Sequence, residues 1–100
     1  MLKKALVIGN NAYKNDSDKL NNPINDAKAI RDILSYKGFD VTYCTDLNEY
    51  NLLKNFEYFS DTVSEGDDII FFFTGHAIED RDINYLFSID YNDAFSLNYR

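Results

Sequence analysis

One hundred residues, 45 % of them apolar, bound the molecule to a single small globular domain that buries somewhat over ~60 % of its unfolded surface. Eight Phe and eight Tyr supply much of that area, and four Gly with one Pro leave little length for flexible linkers, so a disordered chain is excluded. A net charge of −7 argues against nucleic acid, whose phosphates are bound by Lys and Arg, and suits a basic peptide instead.

The opening Met1-Leu2-Lys3-Lys4-Ala5-Leu6-Val7-Ile8 carries basic residues before an apolar stretch, but Gly9-Asn10-Asn11 ends that stretch too early for a signal segment. Residues 3–9 read instead as a strand buried on both faces, as in a parallel sheet. No run approaches the ~18 apolar residues needed to span a membrane. Asn10 to Asn22 follows as a loop rich in Asn, Asp and Lys, long enough for a βα connection to line a site.

Residues 23–37 place Ile24, Ala27, Ile30 and Leu34 on one helical face, with Pro23 in the first turn and Gly38 closing the end. Phe39 to Cys44 reads as the second strand. Asp46 or Asn48 can then cap a second helix in which Leu52, Phe56, Phe59 and Val63 recur at helical spacing, ended by Gly66. Cys44, the single cysteine, has no intramolecular partner for a disulfide and nothing basic beside it in sequence, which fits a small core residue in a reducing, cytoplasmic setting.

The third strand is the apolar run at 67–74, Asp67-Asp68-Ile69-Ile70-Phe71-Phe72-Phe73-Thr74, with the three Phe as core. Gly75 and the only histidine, His76, come next, at the strand's carboxyl end, where an open α/β sheet places its chemistry. Imidazole as a class exchanges protons near neutral pH, so a rigidly held histidine there is a candidate acid and base. A polar loop through Arg81 and a short extended piece at 84–90 are expected after it, and the tail 91–100 shows no period and is left unassigned. The order β-α-β-α-β implies parallel strands joined by right-handed crossovers, with an apolar edge open at the third strand unless another strand or a partner covers it.

Four segments in this order resemble a known family: Ala5-Leu6-Val7-Ile8-Gly9-Asn10, Leu20-Asn21-Asn22-Pro23-Ile24-Asn25-Asp26-Ala27, Phe72-Phe73-Thr74-Gly75-His76, and Asn84-Tyr85-Leu86 ending at Asp90. Together they look like the amino-terminal part of a caspase-like, metacaspase-type cysteine endopeptidase. The resemblance implies an α/β fold, the parallel three-layer caspase-like (caspase-hemoglobinase) sandwich, here incomplete, with three main strands and two crossover helices. Residues 1–100 then form one amino-terminal portion of such a domain.

By that resemblance, His76 activates a thiol and protonates the leaving amine, and the backbone of Gly75 and Ala77 contributes beside it. The family usually carries glycine where Ala77 stands. Alanine keeps the N–H for an oxyanion, but its Cβ would penalise a positive φ. Asp26, with Asn25, matches the acid of the pocket that takes a substrate Arg or Lys, and as a first-turn carboxylate it also favours the helix dipole. The family nucleophile is a cysteine ~50 residues after the histidine, which falls beyond Arg100, while Cys44 precedes His76. The expectation is a chain that cannot perform the thiol reaction alone.

Two alternatives accompany this reading. A non-catalytic caspase-like module could bind or regulate a partner through the open sheet edge, by self-association or with a complementing chain. No cofactor is expected. Calcium, which activates some metacaspases, is the minor alternative, because Asp67 and Asp68 point to opposite faces of a strand and Asp80, Asp82, Asp90 and Asp93 read as solvated.

Overall fold

The computed structural model describes residues 2–14 and 19–90 together with the strand Phe95–Ser96. The chain runs β1 (Lys3–Gly9), α1 (Pro23–Tyr36), β2 (Asp40–Thr45), α2 (Glu49–Asp61), β3 (Asp68–Thr74), β4 (Ala77–Asp80), β5 (Ile83–Leu86) and β6 (Phe95–Ser96). The first three strands form a parallel sheet in the order β2-β1-β3, so β1 is central and β3 is an edge.

Ala5, Leu6, Val7 and Ile8 are all fully buried, which requires cover on both faces. Strand alternation sends Ala5 and Val7 to α1, where they meet Ala27 and Leu34, and sends Leu6 and Ile8 to α2, where they meet Leu47, Leu52 and Phe59. The helices lie on opposite faces because the two right-handed crossovers run in opposite directions from the strands they leave. This is the expected three-layer arrangement.

Helix α1 begins at Pro23 and closes through Gly38, whose φ of +88° lets its N–H reach Ser35 O and the Phe39 N–H reach Leu34 O. Of the two candidate caps for α2, Asn48 holds the position, its side chain accepting the Asn51 N–H at 2.8 Å. Asp90 is exposed as expected, but it also accepts the Glu49 N–H at 2.8 Å, capping α2 from a distant part of the chain. Burial raises its pKa, yet hydrogen bonds from Glu49, Ser88 and its own N–H outweigh that and hold it below the usual carboxylate range.

Three sequence expectations are corrected. Helix α2 stops at Asp61, where Thr62 folds its hydroxyl back onto Phe59 O at 2.7 Å, so Val63 lies beyond the helix and Gly66 (φ +90°) belongs to the following turn. The loop expected through Arg81 holds strand β4, which pairs antiparallel with β5 around a two-residue turn at Arg81 and Asp82, both at positive φ. All four β4 residues are exposed, so the strand leaves no apolar alternation to detect, and Arg-Asp lacks the usual glycine of such a turn. The extended piece expected at 84–90 is strand only as far as Leu86, and the unassigned tail supplies β6 beside β5. Asp93 and the rest of the tail lie outside the described residues.

Two measurements check this packing. A Cβ at Gly9 would come within 2.8 Å of both Ala27 Cβ and Pro23 O, so Gly9→Ala is expected to destabilise the chain by about 1–3 kcal/mol in urea denaturation. At the opposite edge of the sheet Asp67 accepts the Ser64 N–H at 2.9 Å and the Leu2 N–H at 3.1 Å, with Lys4 Nζ at 3.6 Å. Those backbone bonds, and then Lys4, hold its pKa below the ordinary carboxylate value. Its stabilising contribution is therefore present above that ordinary value and lost as pH falls through the lower folded value. The difference in urea midpoint between the wild type and Asp67→Asn should be steady near neutrality and shrink below about pH 4.

Candidate functional site

Register brings the carboxyl ends of the three parallel strands to one level, because Gly9 pairs with both Thr45 and Thr74. The residues that follow, Asn10, Asp46 and Gly75-His76, therefore emerge side by side. Asn10 is fully buried and ties them together: its N–H donates to Thr74 O at 3.0 Å, its Oδ1 accepts the Leu47 N–H at 3.0 Å, and its Nδ2 donates to Phe87 O at 3.3 Å. Asp46 turns through a φ of +51° and accepts the Asn11 and Ala12 N–H groups at 2.9 and 3.0 Å. Asn11 in turn accepts the Ile24 N–H at 3.0 Å, which fixes the first turn of α1 beside the same edge.

His76 sits in this edge, partly buried, between two sheets. Its N–H donates to Tyr13 Oη at 2.7 Å, and the Tyr13 and His76 rings lie 4.6 Å apart, tilted by 58°. The Tyr13 hydroxyl donates onward to Phe87 O at 3.2 Å, while the Phe87 N–H donates to His76 O at 3.1 Å. Gly75 reaches this position with a φ of +154°, and a Cβ there would fall 2.5 Å from Tyr13 Oη. Glycine at 75 is thus demanded both by backbone conformation and by space.

The family model of the caspase domain matches residues 2–99. The chain belongs to the caspase-domain family. No curated protein matches it. The family is one of peptidases, and its substrates are proteins or peptides.

In this caspase domain, Ala77 departs from the expectation of strain. Among the described residues the non-glycine positions at positive φ are Asp46, Arg81 and Asp82, so Ala77 carries no such penalty, and the positive φ beside His76 falls on Gly75, which tolerates it. The Ala77–Leu86 register, with the Phe87 N–H bonded to His76 O, makes 77–86 a non-hydrogen-bonded pair, in which the Ala77 N–H points away from β5. Asn25 and Asp26 are exposed on the first turn of α1, at the rim that Asn11 anchors. They share the edge with His76 without joining the hydrogen-bonded network around it.

Cys44 is placed elsewhere. It lies on β2, two strand spacings or about 10 Å across the sheet from β3, packed on the α2 face with its thiol 3.4 Å from Asn55 Oδ1. Burial pushes its pKa up and favours the unreactive thiol. Among the described residues no three His, Cys, Asp or Glu side chains converge to hold a metal ion, and no helix is long and apolar enough to cross a membrane.

Sequence reading missed Tyr13 and Asn10. The available signal was two asparagines directly after a buried strand, with a lone aromatic in an otherwise polar loop. Reaction of Cys44 with iodoacetamide at pH 7.5 is expected to be several-fold slower than that of a free cysteine peptide and to reach the peptide's rate in urea.

Proposed function

We propose that this chain is the histidine-bearing part of a caspase-like cysteine endopeptidase of the metacaspase type, which cuts after Arg or Lys in the complete enzyme. Residues 1–100 form one amino-terminal portion of its p20-like domain, in a cytoplasmic setting that keeps thiols reduced. The nucleophilic thiol comes from outside these residues. The observation that carries the reading is the position of the chain's single histidine, at the carboxyl end of β3, beside the end of β1, in a caspase-family fold whose β3 edge is free among the described residues. A strand added along that edge would bring its own carboxyl end next to His76.

His76 takes the proton of that thiol, and the thiolate sulfur attacks the scissile carbonyl carbon. As the C–N bond breaks, the imidazolium returns the proton to the departing amine, leaving a thioester on the enzyme. Water, deprotonated by the same imidazole, then releases the acid and the thiol. The Ala77 N–H, directed out of the β4–β5 ladder, and the backbone at Gly75 supply hydrogen-bond donors beside the developing oxyanion. Asp26, with Asn25 next to it, takes the guanidinium or ammonium of the residue before the cut. The net charge of −7 draws basic peptides toward the domain.

A second reading is favoured by a separate feature. An open apolar hollow of about 250 Å³, lined by Phe56, Phe59, Ser60, Val63, Ile69 and Phe71, adjoins the free β3 edge, with Val63 and Ile69 38 % and 39 % exposed. It suits a non-catalytic module that takes a complementing chain or a second copy of itself.

Supplying a cysteine-bearing strand segment in trans separates the two. Cleavage of Arg and Lys peptides, reduced at least about 10²-fold by His76→Ala, is expected. Asp26→Asn should raise KM for an Arg peptide about tenfold with a smaller effect on kcat. Demonstrated association without any cleavage would overturn the peptidase reading and leave the binding module.

A further inference from the structure

The bond between Tyr13 and His76 has an unusual place in the chain's hydrogen-bond pattern. Where two antiparallel residues face each other as a bonded pair, each N–H donates to the other's carbonyl. At the junction of β3 with the β4–β5 hairpin only half of that exchange is direct, since the Phe87 N–H donates to His76 O at 3.1 Å. The other half passes through a side chain: His76 N–H to Tyr13 Oη at 2.7 Å, then Tyr13 Oη to Phe87 O at 3.2 Å. A hydroxyl can do this because it accepts and donates at once.

We infer that Tyr13 is the positioning residue of His76, its hydroxyl inserted into the ladder to set the histidine backbone and its ring packed against the imidazole to set the side chain. The inference rests on the peptidase reading for its consequence in catalysis, but its geometry is independent of that reading. Three further features support it. Tyr13 is fully buried, although it belongs to a polar loop. Asn10 Nδ2 also donates to Phe87 O, so the acceptor at the end of the relay is held from two sides. Gly75 is shaped to the same hydroxyl, since a Cβ there would lie 2.5 Å from Tyr13 Oη, closer than Phe73 at 3.0 Å. Gly75, Tyr13 and His76 are therefore one unit, and Tyr13 acts on chemistry only through His76.

The test uses this chain as it stands, and because His76 is its only histidine the imidazole gives isolated NMR signals. Wild-type protein should show cross-relaxation between the Tyr13 ring and the His76 imidazole protons, and imidazole shifts displaced from those of free histidine by the neighbouring ring. Tyr13→Phe keeps the ring and removes the relay, so those shifts should persist while the His76 amide exchanges about two- to tenfold faster, with the Phe71 and Phe72 amides unchanged. Tyr13→Leu should bring the imidazole shifts toward free-histidine values. Gly75→Ala should destabilise less in the Tyr13→Phe background than alone, because the nearest atom has gone.

Absence of ring-to-imidazole cross-relaxation in the wild type, or an unaltered His76 amide in a folded Tyr13→Phe protein, would overturn the inference. Failure of Tyr13→Leu to fold does not rescue it, since both of those measurements stand without that variant. In the thiol-complemented enzyme, Tyr13→Phe is expected to lower kcat about tenfold with KM changed less than twofold. If His76→Ala leaves activity intact while the NMR results hold, the peptidase reading has failed and the positioning has not.

Discussion

Everything at the functional edge depends on the register of β1. Its side chains are sorted by size, with Ala5 and Val7 facing α1 and the bulkier Leu6 and Ile8 facing the aromatic layer of α2. Slipping the strand by one residue would exchange the two sets and leave large side chains where α1 comes close at Gly9 and Ala27. Apolar packing along the whole strand therefore fixes where the strand ends. Because β2 and β3 pair with it and finish at the same level, the same packing sets the relative positions of Asn10, Asp46 and Gly75.

Above that level the apolar layers give out, and polar side chains bonded to backbone take over. Asn10, Asn11, Tyr13 and Asp46 each hold main-chain groups of another segment. The chain needs them because its turns there are irregular and their N–H and C=O groups would otherwise be buried without partners. Asp46 illustrates the exchange. An aspartate at φ +51° costs roughly 1 kcal/mol or more, and its carboxylate offsets that by accepting two N–H groups of the loop after β1. Among the described residues no buried side-chain N or O is left without a hydrogen bond.

The parts of this design legible in sequence are those written in local periodicity. The buried run of β1, the Pro23-to-Gly38 frame of α1, the helical recurrence of Leu52, Phe56 and Phe59, and the placement of His76 after an apolar strand all follow from patterns of a few residues. The parts that were not legible depend on pairs far apart in the chain. Strand β4 has no buried face and exists because β5 folds back beside it. The second cap of α2 comes from Asp90, 41 residues away. Tyr13 reads as one aromatic among polar neighbours until the fold brings it against a histidine 63 residues later. Expectation also put the strain on Ala77, from a family glycine, whereas the fold takes up the positive φ one residue before His76 and leaves Ala77 in an ordinary strand.

The placing of that positive φ at a glycine has a structural logic. His76 lies at the junction of a parallel sheet and an antiparallel hairpin, and the residue of unusual backbone conformation there is Gly75, at φ +154°. With that residue a glycine before the histidine, strand β4 begins at Ala77, directly after His76. The His76 carbonyl is then held by Phe87 and its N–H by Tyr13. Its backbone is thereby fixed on both sides by groups of other residues. The histidine is thus positioned by bonds to its main chain and by a ring against its face, the kind of support that holds a side chain in one geometry.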